Sequence, residues 1–456
     1  MAIVCMVRRD VGNVTEKASQ CAVVDPTAVV DDVPEMLLTD PVIAEFDWSK
    51  EVKGSILGAF FNGYLCSQIL GGYLASRFGG KRVILYTVLG SSLLTLLSPI
   101  AARTHHMALY ALRTVIGFLQ GATFPAMHTM WALWGPPLER SVLTGVSYAG
   151  AQIGNMLVLS VSGILCEHGF DGGWPSIFYS FGVFGVIWCA CWHYFTSDRP
   201  STHTRISKEE AEYIESSLEE TMGKSTDKPR ATPWMSLLTS RAVWACWIGH
   251  FAGDWGAYTM MLALPSFLKD VLGVNLSSLG FLSAAPYLAY FVVINIGGAG
   301  ADYLRNGNIL NTVNTRRLAM MLALVGQAVF LVLAAHCGCG QEMLFVVFLI
   351  IGTGLSGFQY SGFVVNYLDI APPFSGTIMG IGNTLSCFGG IASPLVMEAM
   401  TKNGTREEWK MAMWLTAGIL VVGAVLYSLM AKGDVENWAK AEPTKDDEEA
   451  VPLQEK

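Results

Sequence analysis

Charge is scarce in this chain. Only 14% of its 456 residues are Asp, Glu, Lys or Arg, against about 25% in an average soluble domain. That deficit excludes an ordinary water-soluble fold of this length. Twenty-nine Lys and Arg stand against 37 Asp and Glu, and no basic patch suits nucleic acid. The formal net charge of -8 comes largely from "EEAEYIESSLEE" and "KDDEEAVPLQEK". The ten cysteines lie mostly inside apolar runs and have no metal-ligand spacing. Cys337 and Cys339 read as small apolar residues or loop thiols. No Ser-His-acid set lies in the apolar runs, so an intramembrane enzyme has no support. The opening "MAIVCMVRRD" is neither a signal peptide nor a span, since a span needs roughly 20 apolar residues.

Long hydrophobic runs are abundant. Hydrophobic residues make up 52% of the chain and mean hydropathy is +0.42. Apolar runs predict helices at 54–76, 83–102, 107–133, 142–165, 174–196, 242–267, 276–298, 318–336, 343–365, 374–399 and 411–431. Residues 197–240 are the one long polar interruption, with "ISKEEAEYIESSLEE" as an amphipathic surface helix whose charges are solvated. Arg77, Lys81, Arg82, Arg305, Arg316 and Arg317 share one end, and the loops near 168 and 338 carry no Lys or Arg. The basic end is therefore assigned to the cytoplasm. The Asn-x-Ser/Thr sequons at Asn13, Asn275 and Asn403 all fall at the other end, as candidate glycosylation sites.

The pattern divides into a lumenal segment over 1–53, helical bundles over 54–196 and 241–431, a cytoplasmic linker over 197–240 and an acidic tail over 432–456. "GGYLASR" at 71–77 is echoed by "GGAGADYLR" at 297–305, and "GVSYAGAQIGN" by "GTIMGIGNTLS". Parallel halves of this kind mark a rocking transporter with its site between them. Gly150, Gly154, Gly376 and Gly380 are spaced for close helix packing.

"GGYLASRFGGKR" resembles the signature loop of the major facilitator superfamily. "GATFPAMHTMWALWGPPLERS" and "SGFVVNYLDIAPPFSGTIMGIGNT" resemble, more specifically, the organic-anion transporter family of sialin, the vesicular glutamate transporters and the type I phosphate transporters. "SYAGAQIG", "RISKEEAEYIESSL", "GFLSAAPYLAY" and "TREEW" look most like the sialin-type members. The resemblance covers nearly the whole chain. It implies an all-α major facilitator fold of two six-helix pseudo-repeats. "MAIVCMV" is similar to the end of the family's first helix, so about eleven full spans are expected here. Family members carry an anion-binding arginine before that stretch, and this chain starts after it.

The resemblance implies secondary active transport of a small organic anion, sialic acid or an acidic amino acid, by alternating access. The drive is a proton gradient or membrane potential. The alternatives are sodium- or chloride-dependent phosphate or organic-anion transport, or a truncated member that does not transport. It further implies a lysosomal or vesicular membrane ahead of the plasma membrane, no cofactor beyond a coupling H+ or Na+, no metal, and a monomer in the bilayer. The solutes considered are sialic acid, glutamate, aspartate, urate and phosphate.

Arg113 lies inside a span. A charge at a span's centre costs roughly 2.5–3.5 kcal/mol on insertion scales, so it faces a cavity, a partner or the interface. Its guanidinium suits a carboxylate, and the family keeps an arginine at the matching position. Family glutamates tied to proton coupling are replaced here by Ile116 and Gln120. Gln120 still offers hydrogen bonds toward the cavity. Asp254 lies near mid-span, as proton carrier, as counter-ion of Arg113, or as a polar kink facing water. His128 is a second coupling and binding candidate, since histidine titrates near about 6.5 in water; His250 is a weaker one. Tyr64, Tyr148 and Tyr258 fall on expected cavity-lining spans; Ser361, Asn366 and Asn383 are polar within apolar runs. Each is a substrate contact or a helix bridge. Arg77, Lys81, Arg82, Glu139, Arg140, Asp302, Arg305 and Asp369 form expected gating clusters at the cytoplasmic ends, with topology signalling as the alternative.

Overall fold

A computed structural model describes Met6 and residues 45–222, 231–270, 276–338, 340–403 and 405–440. Asn13, Asn275 and Cys339 lie outside the described residues.

Eleven helical rods are described. The first half of the chain forms α1 (Lys50–Phe78), α2 (Gly80–Thr104), a broken rod of α3 (His106–Gln120) and α4 (Thr123–Trp134), α5 (Arg140–His168) and α6 (Trp174–Phe195). The linker holds α7 (Lys208–Met222) and the short α8 (Trp234–Thr239). The second half forms α9 (Arg241–Asp270), α10 (Leu276–Asn306), a rod of α11 (Thr312–Met320) and α12 (Gly326–Ala335), a rod of α13 (Glu342–Ser356) and α14 (Phe363–Ile370), α15 (Ser375–Met400) and α16 (Arg406–Met430).

Six described helices are long and apolar enough to cross a membrane: Gly80–Thr104, Arg140–Cys166, Trp174–Phe195, Thr312–Ala335, Met343–Ile370 and Arg406–Met430. α1, α9 and α15 are not among them. They carry Tyr64, Gln68, His250, Asp254 and Asn383, the polar groups of the molecule's interior.

Several rods outrun their apolar stretches for local reasons. α16 starts five residues earlier than hydrophobicity predicts because Thr405 and Glu408 form a reciprocal capping box. α10 runs on past 298 and thereby places Asp302 and Arg305. The expected continuous helix over 107–133 is broken at Gly121–Ala122. Pro125 has no N–H for the Gly121 carbonyl, so the ladder loses a bond there. Between α11 and α12, Met321–Val325 is a single π turn.

α1 meets α15 across the seam between the two halves of the chain, and α5 meets α10. Small residues allow the first contact. A Cβ on Gly72 would sit 2.2 Å from the Gly376 carbonyl oxygen, and one on Gly380 would sit 2.5 Å from that of Gln68. Gly150 and Gly154 differ from the sequence expectation: a Cβ at either meets nothing within 4 Å among the described residues. The two echoed glycine pairs are therefore not equivalent.

The linker helix α7 buries Ile214 and Leu218, one turn apart, and exposes Glu209, Glu210, Glu219 and Glu220. That is the amphipathic arrangement its sequence predicts. At the opposite end Met6 packs among Ile56, Leu109 and Trp174, and its carbonyl accepts from the Phe46 N–H at 3.0 Å. Cys166, at that end of α5, is disulfide-bonded, a pairing its spacing did not signal. Asn403 is exposed there, its amide donating to Glu408 Oε1 at 2.6 Å.

Candidate functional site

The middle of the seam holds a connected set of polar side chains. His250 and Asp254 are four residues apart on α9 and share a face. His250 Nε2 lies 3.5 Å from Asp254 Oδ2. The Ser386 hydroxyl of α15 donates to the same carboxylate oxygen. The other face of the imidazole is fixed as well: Nδ1 is 3.1 Å from the Tyr367 hydroxyl, and the ring stacks on Phe363 at 4.5 Å. The His250 side chain is only 4% exposed, whereas that of Asp254 is 26% exposed. Solvent therefore reaches the carboxylate and not the imidazole.

The set continues into the first half of the chain. The Tyr367 ring meets the His128 ring edge-on at 6.0 Å, and His128 Nε2 is 2.9 Å from the Tyr148 hydroxyl. Tyr148 stacks on Phe124 and lies 4.7 Å from Tyr360. Across α1 and α15, Asn383 Nδ2 donates to the Tyr64 hydroxyl at 3.1 Å, and Gln68 Nε2 to Cys387 Sγ at 3.2 Å. Tyr258, one turn beyond Asp254, lays its ring on Gly390, where a Cβ would be 2.8 Å away. Chemically, this is a water-reached carboxylate with a histidine and a hydroxyl beside it, inside a lining of aromatic hydroxyls.

The basic end is a second, drier cluster. Arg316 is fully buried and forks onto Asp369, Nε to Oδ2 at 2.7 Å. Its Nη1 donates to the Ser141 hydroxyl at 2.8 Å and the Ser361 carbonyl at 3.0 Å. Asp302 accepts from the Ser141 and Val142 N–H groups at the start of α5, the Val142 bond at 2.8 Å. A carboxylate is favoured at a helix N-terminus. Arg140 donates Nε to the Gly135 carbonyl and Nη1 to the Leu368 carbonyl, and Arg305 donates Nη1 to that of Pro137. Most of these bonds join the two halves of the chain. Past Cys387, toward the sequon end, no hydrogen bond joins them among the described residues. The structure is thus closed at its basic end.

Other candidates sit elsewhere. Arg113 is half-buried and donates Nε to the Ile56 carbonyl at 2.8 Å. The structure does not pair it with Asp254, whose partners are Ser386 and His250. The sequence cannot show that α3 turns Arg113 toward α1 while α9 turns Asp254 toward α15. Gln120 is exposed and its amide reaches Ser91 Oγ at 3.5 Å, on the α2 side and not among the seam tyrosines. Ser361 belongs to the gate, because the 3-10 turn Gly357–Ser361 delivers its carbonyl to Arg316. Asn366 bridges helices: it donates to the Lys432 carbonyl and accepts from Cys246 and Tyr427.

The gating set also divides. Arg77 reaches only Tyr73 on its own helix. The Lys81 N–H bonds Asp198 at 2.9 Å within the first half, beside Gly79, whose φ of 93° favours glycine. Arg82 is exposed. Glu139 holds the linker, accepting from the Tyr213 hydroxyl at 2.9 Å, and that bond pushes the phenol's pKa up. Residues passed over include Arg316, Ser141, Ser386, Gln68 and Tyr367. A signal existed only for His250, which stands four residues before a mid-span aspartate.

These features define a helical membrane transporter with a polar seam between two sets of rods. The model of the Major Facilitator Superfamily matches residues 35–394, and the chain belongs to that superfamily, in the branch of sialin and the vesicular glutamate transporters. It is 60% identical over 457 residues to the uncharacterized transporter slc-17.2 of Caenorhabditis elegans, covering all of this chain and 90% of that one. It is 42% identical to human sialin over 395 residues, covering 87% and 78% of the two chains. With human vesicular glutamate transporter 2 it shares 36% identity over 405 residues, covering 89% and 69%. The fold is similar to that of the proton:xylose symporter XylE, with a TM-score of 0.64 at 15% identity over 83% of this chain and 86% of that one. It is also similar to the human organic anion transporter MFSD10, with a TM-score of 0.57 at 16% identity over 82% and 83%.

Proposed function

We propose that this chain is a secondary active transporter of a small organic anion, coupled to protons through Asp254. One observation carries the reading: a carboxylate reached by solvent sits in the seam, held by His250 of its own helix and Ser386 of α15. Protonating Asp254 removes its attraction for a charged His250, so the proton changes how α9 engages its neighbours. Alternating access then follows if the closed basic end opens as the opposite end closes. An ionisable residue inside a span is a functional candidate by default. The aromatic hydroxyls of Tyr64, Tyr148 and Tyr258 and the amide of Asn383 suit the polar groups of the solute. Arg113, with one N–H committed to Ile56, supplies a positive group nearer the sequon end.

Relatives named for glutamate transport favour a carboxylate solute. We place the protein, as a monomer, in a lysosomal or vesicular membrane. The test is flux into vesicles bearing the full chain, with pH and voltage gradients imposed separately and sialic acid, glutamate, aspartate, urate and phosphate as solutes. Gradient-driven uptake of a carboxylate supports the proposal. Failure of every anion to move overturns it.

A further inference from the structure

The gate at the basic end contains one cation that its neighbours leave unmatched. Arg140 is 1% exposed. Its two bonded donors go to neutral carbonyls, and Nη2 has no hydrogen-bond partner. Asp369 is engaged by the fork of Arg316, and Asp302 by the start of α5. Three arginines, Arg140, Arg305 and Arg316, therefore face two aspartates in the gate. A buried donor left unsatisfied costs about 1–3 kcal/mol, more when charged, and a buried charge normally has a counter-ion.

Beside Arg140 lies a cavity of about 610 Å³. Its charged lining is Arg140, Arg305, Asp369, Glu220, Asp434 and Lys440. Glu220, Asp434 and Lys440 are exposed, where water and salt weaken their fields. Arg140 is buried, where a low dielectric strengthens its own. The walls come from both halves of the chain, from the linker helix and from the segment after α16.

We propose that this cavity binds a small oxyanion from the cytoplasmic side, a phosphate or carboxylate group that accepts from Arg140 Nη2 and from Arg305. The anion completes the charge balance of the gate. Because both halves form the walls, the site exists only while the basic end is shut, and an occupant holds it shut. The site rests on the gate geometry and is independent of which solute the seam carries.

The test uses the purified full chain in phosphatidylcholine nanodiscs, with inorganic phosphate as probe and chloride at equal ionic strength as reference. Phosphate is expected to raise Tm saturably and to slow hydrogen exchange across residues 136–143. Arg305→Gln is expected to weaken the response at least tenfold, and Arg140→Lys to remove it. Should Arg140→Lys fold poorly, Arg305→Gln alone decides. Equal responses to phosphate and chloride, or an unchanged response in Arg305→Gln, overturn the proposal. So does an identical stabilisation by nanodiscs containing phosphatidylinositol phosphate with no phosphate added, since a lipid headgroup is then the occupant.

Discussion

The two ends of the molecule both carry arginine–carboxylate pairs, but of opposite kinds. At the basic end Arg316 and Asp369 are 0% and 3% exposed, and the same arginine reaches Ser141 across the seam. At the sequon end Arg103 pairs with Glu45 and Asp171 at 2.9 Å each. All three are more than a third exposed, and all belong to the first half of the chain. A dry pair with bonds across the seam fastens the halves together; a wet pair within one half does not. The placement of charge alone thus says which end is closed. It also leaves the centre to groups that can change state: one carboxylate, two histidines and neutral hydroxyls.

Removing one member of the dry pair is the strongest way to break this contrast. Arg316→Met strands Asp369 in the interior, at an expected cost of about 3–5 kcal/mol, read as a large fall in Tm. Adding Asp369→Leu to the same protein is expected to recover part of it. A small change in the single variant contradicts a buried gate.

Overpacking the seam gives a more moderate effect. Gly376→Val puts a side chain where a Cβ already lies 2.6 Å from the Pro125 carbonyl and 2.2 Å from Thr129 Oγ1. Forced overpacking costs about 1–3 kcal/mol. The penalty applies only to the basic-end-closed state, so labelling of a cysteine placed at Ser141 should increase. Unaltered labelling means α15 and α4 do not part during gating. At the wet end, Arg103→Ala is expected to cost only about 0–1 kcal/mol and to leave that labelling unchanged, as thermal melts and the same label can check.

The succession of rods was readable from sequence because a bilayer demands long apolar helices, and each predicted run has a helix over it. Helix ends were less readable. The capping box before α16 and the gate-driven extension of α10 depend on side-chain partners that hydropathy does not weigh. In the site, Asp254 stood out because a charge inside an apolar run is costly. Its partners did not. Ser386, Tyr367 and Gln68 are ordinary residues until two distant rods meet. Arg316 looked like a topology signal because it sits in a basic cluster, and only the fold brings it to Asp369. Ser361 and Gln120 were polar in apolar runs, yet helix rotation sends one to the gate and the other toward α2.

The account turns on Asp254 as the proton site. The decisive measurement compares wild type with Asp254→Asn in vesicles, following uptake of the transported anion as a function of imposed pH gradient at clamped voltage. Proton-driven uptake in the wild type, with pH dependence abolished in Asp254→Asn and Tm little changed, is the predicted result. A variant whose uptake keeps the wild-type pH dependence contradicts the account.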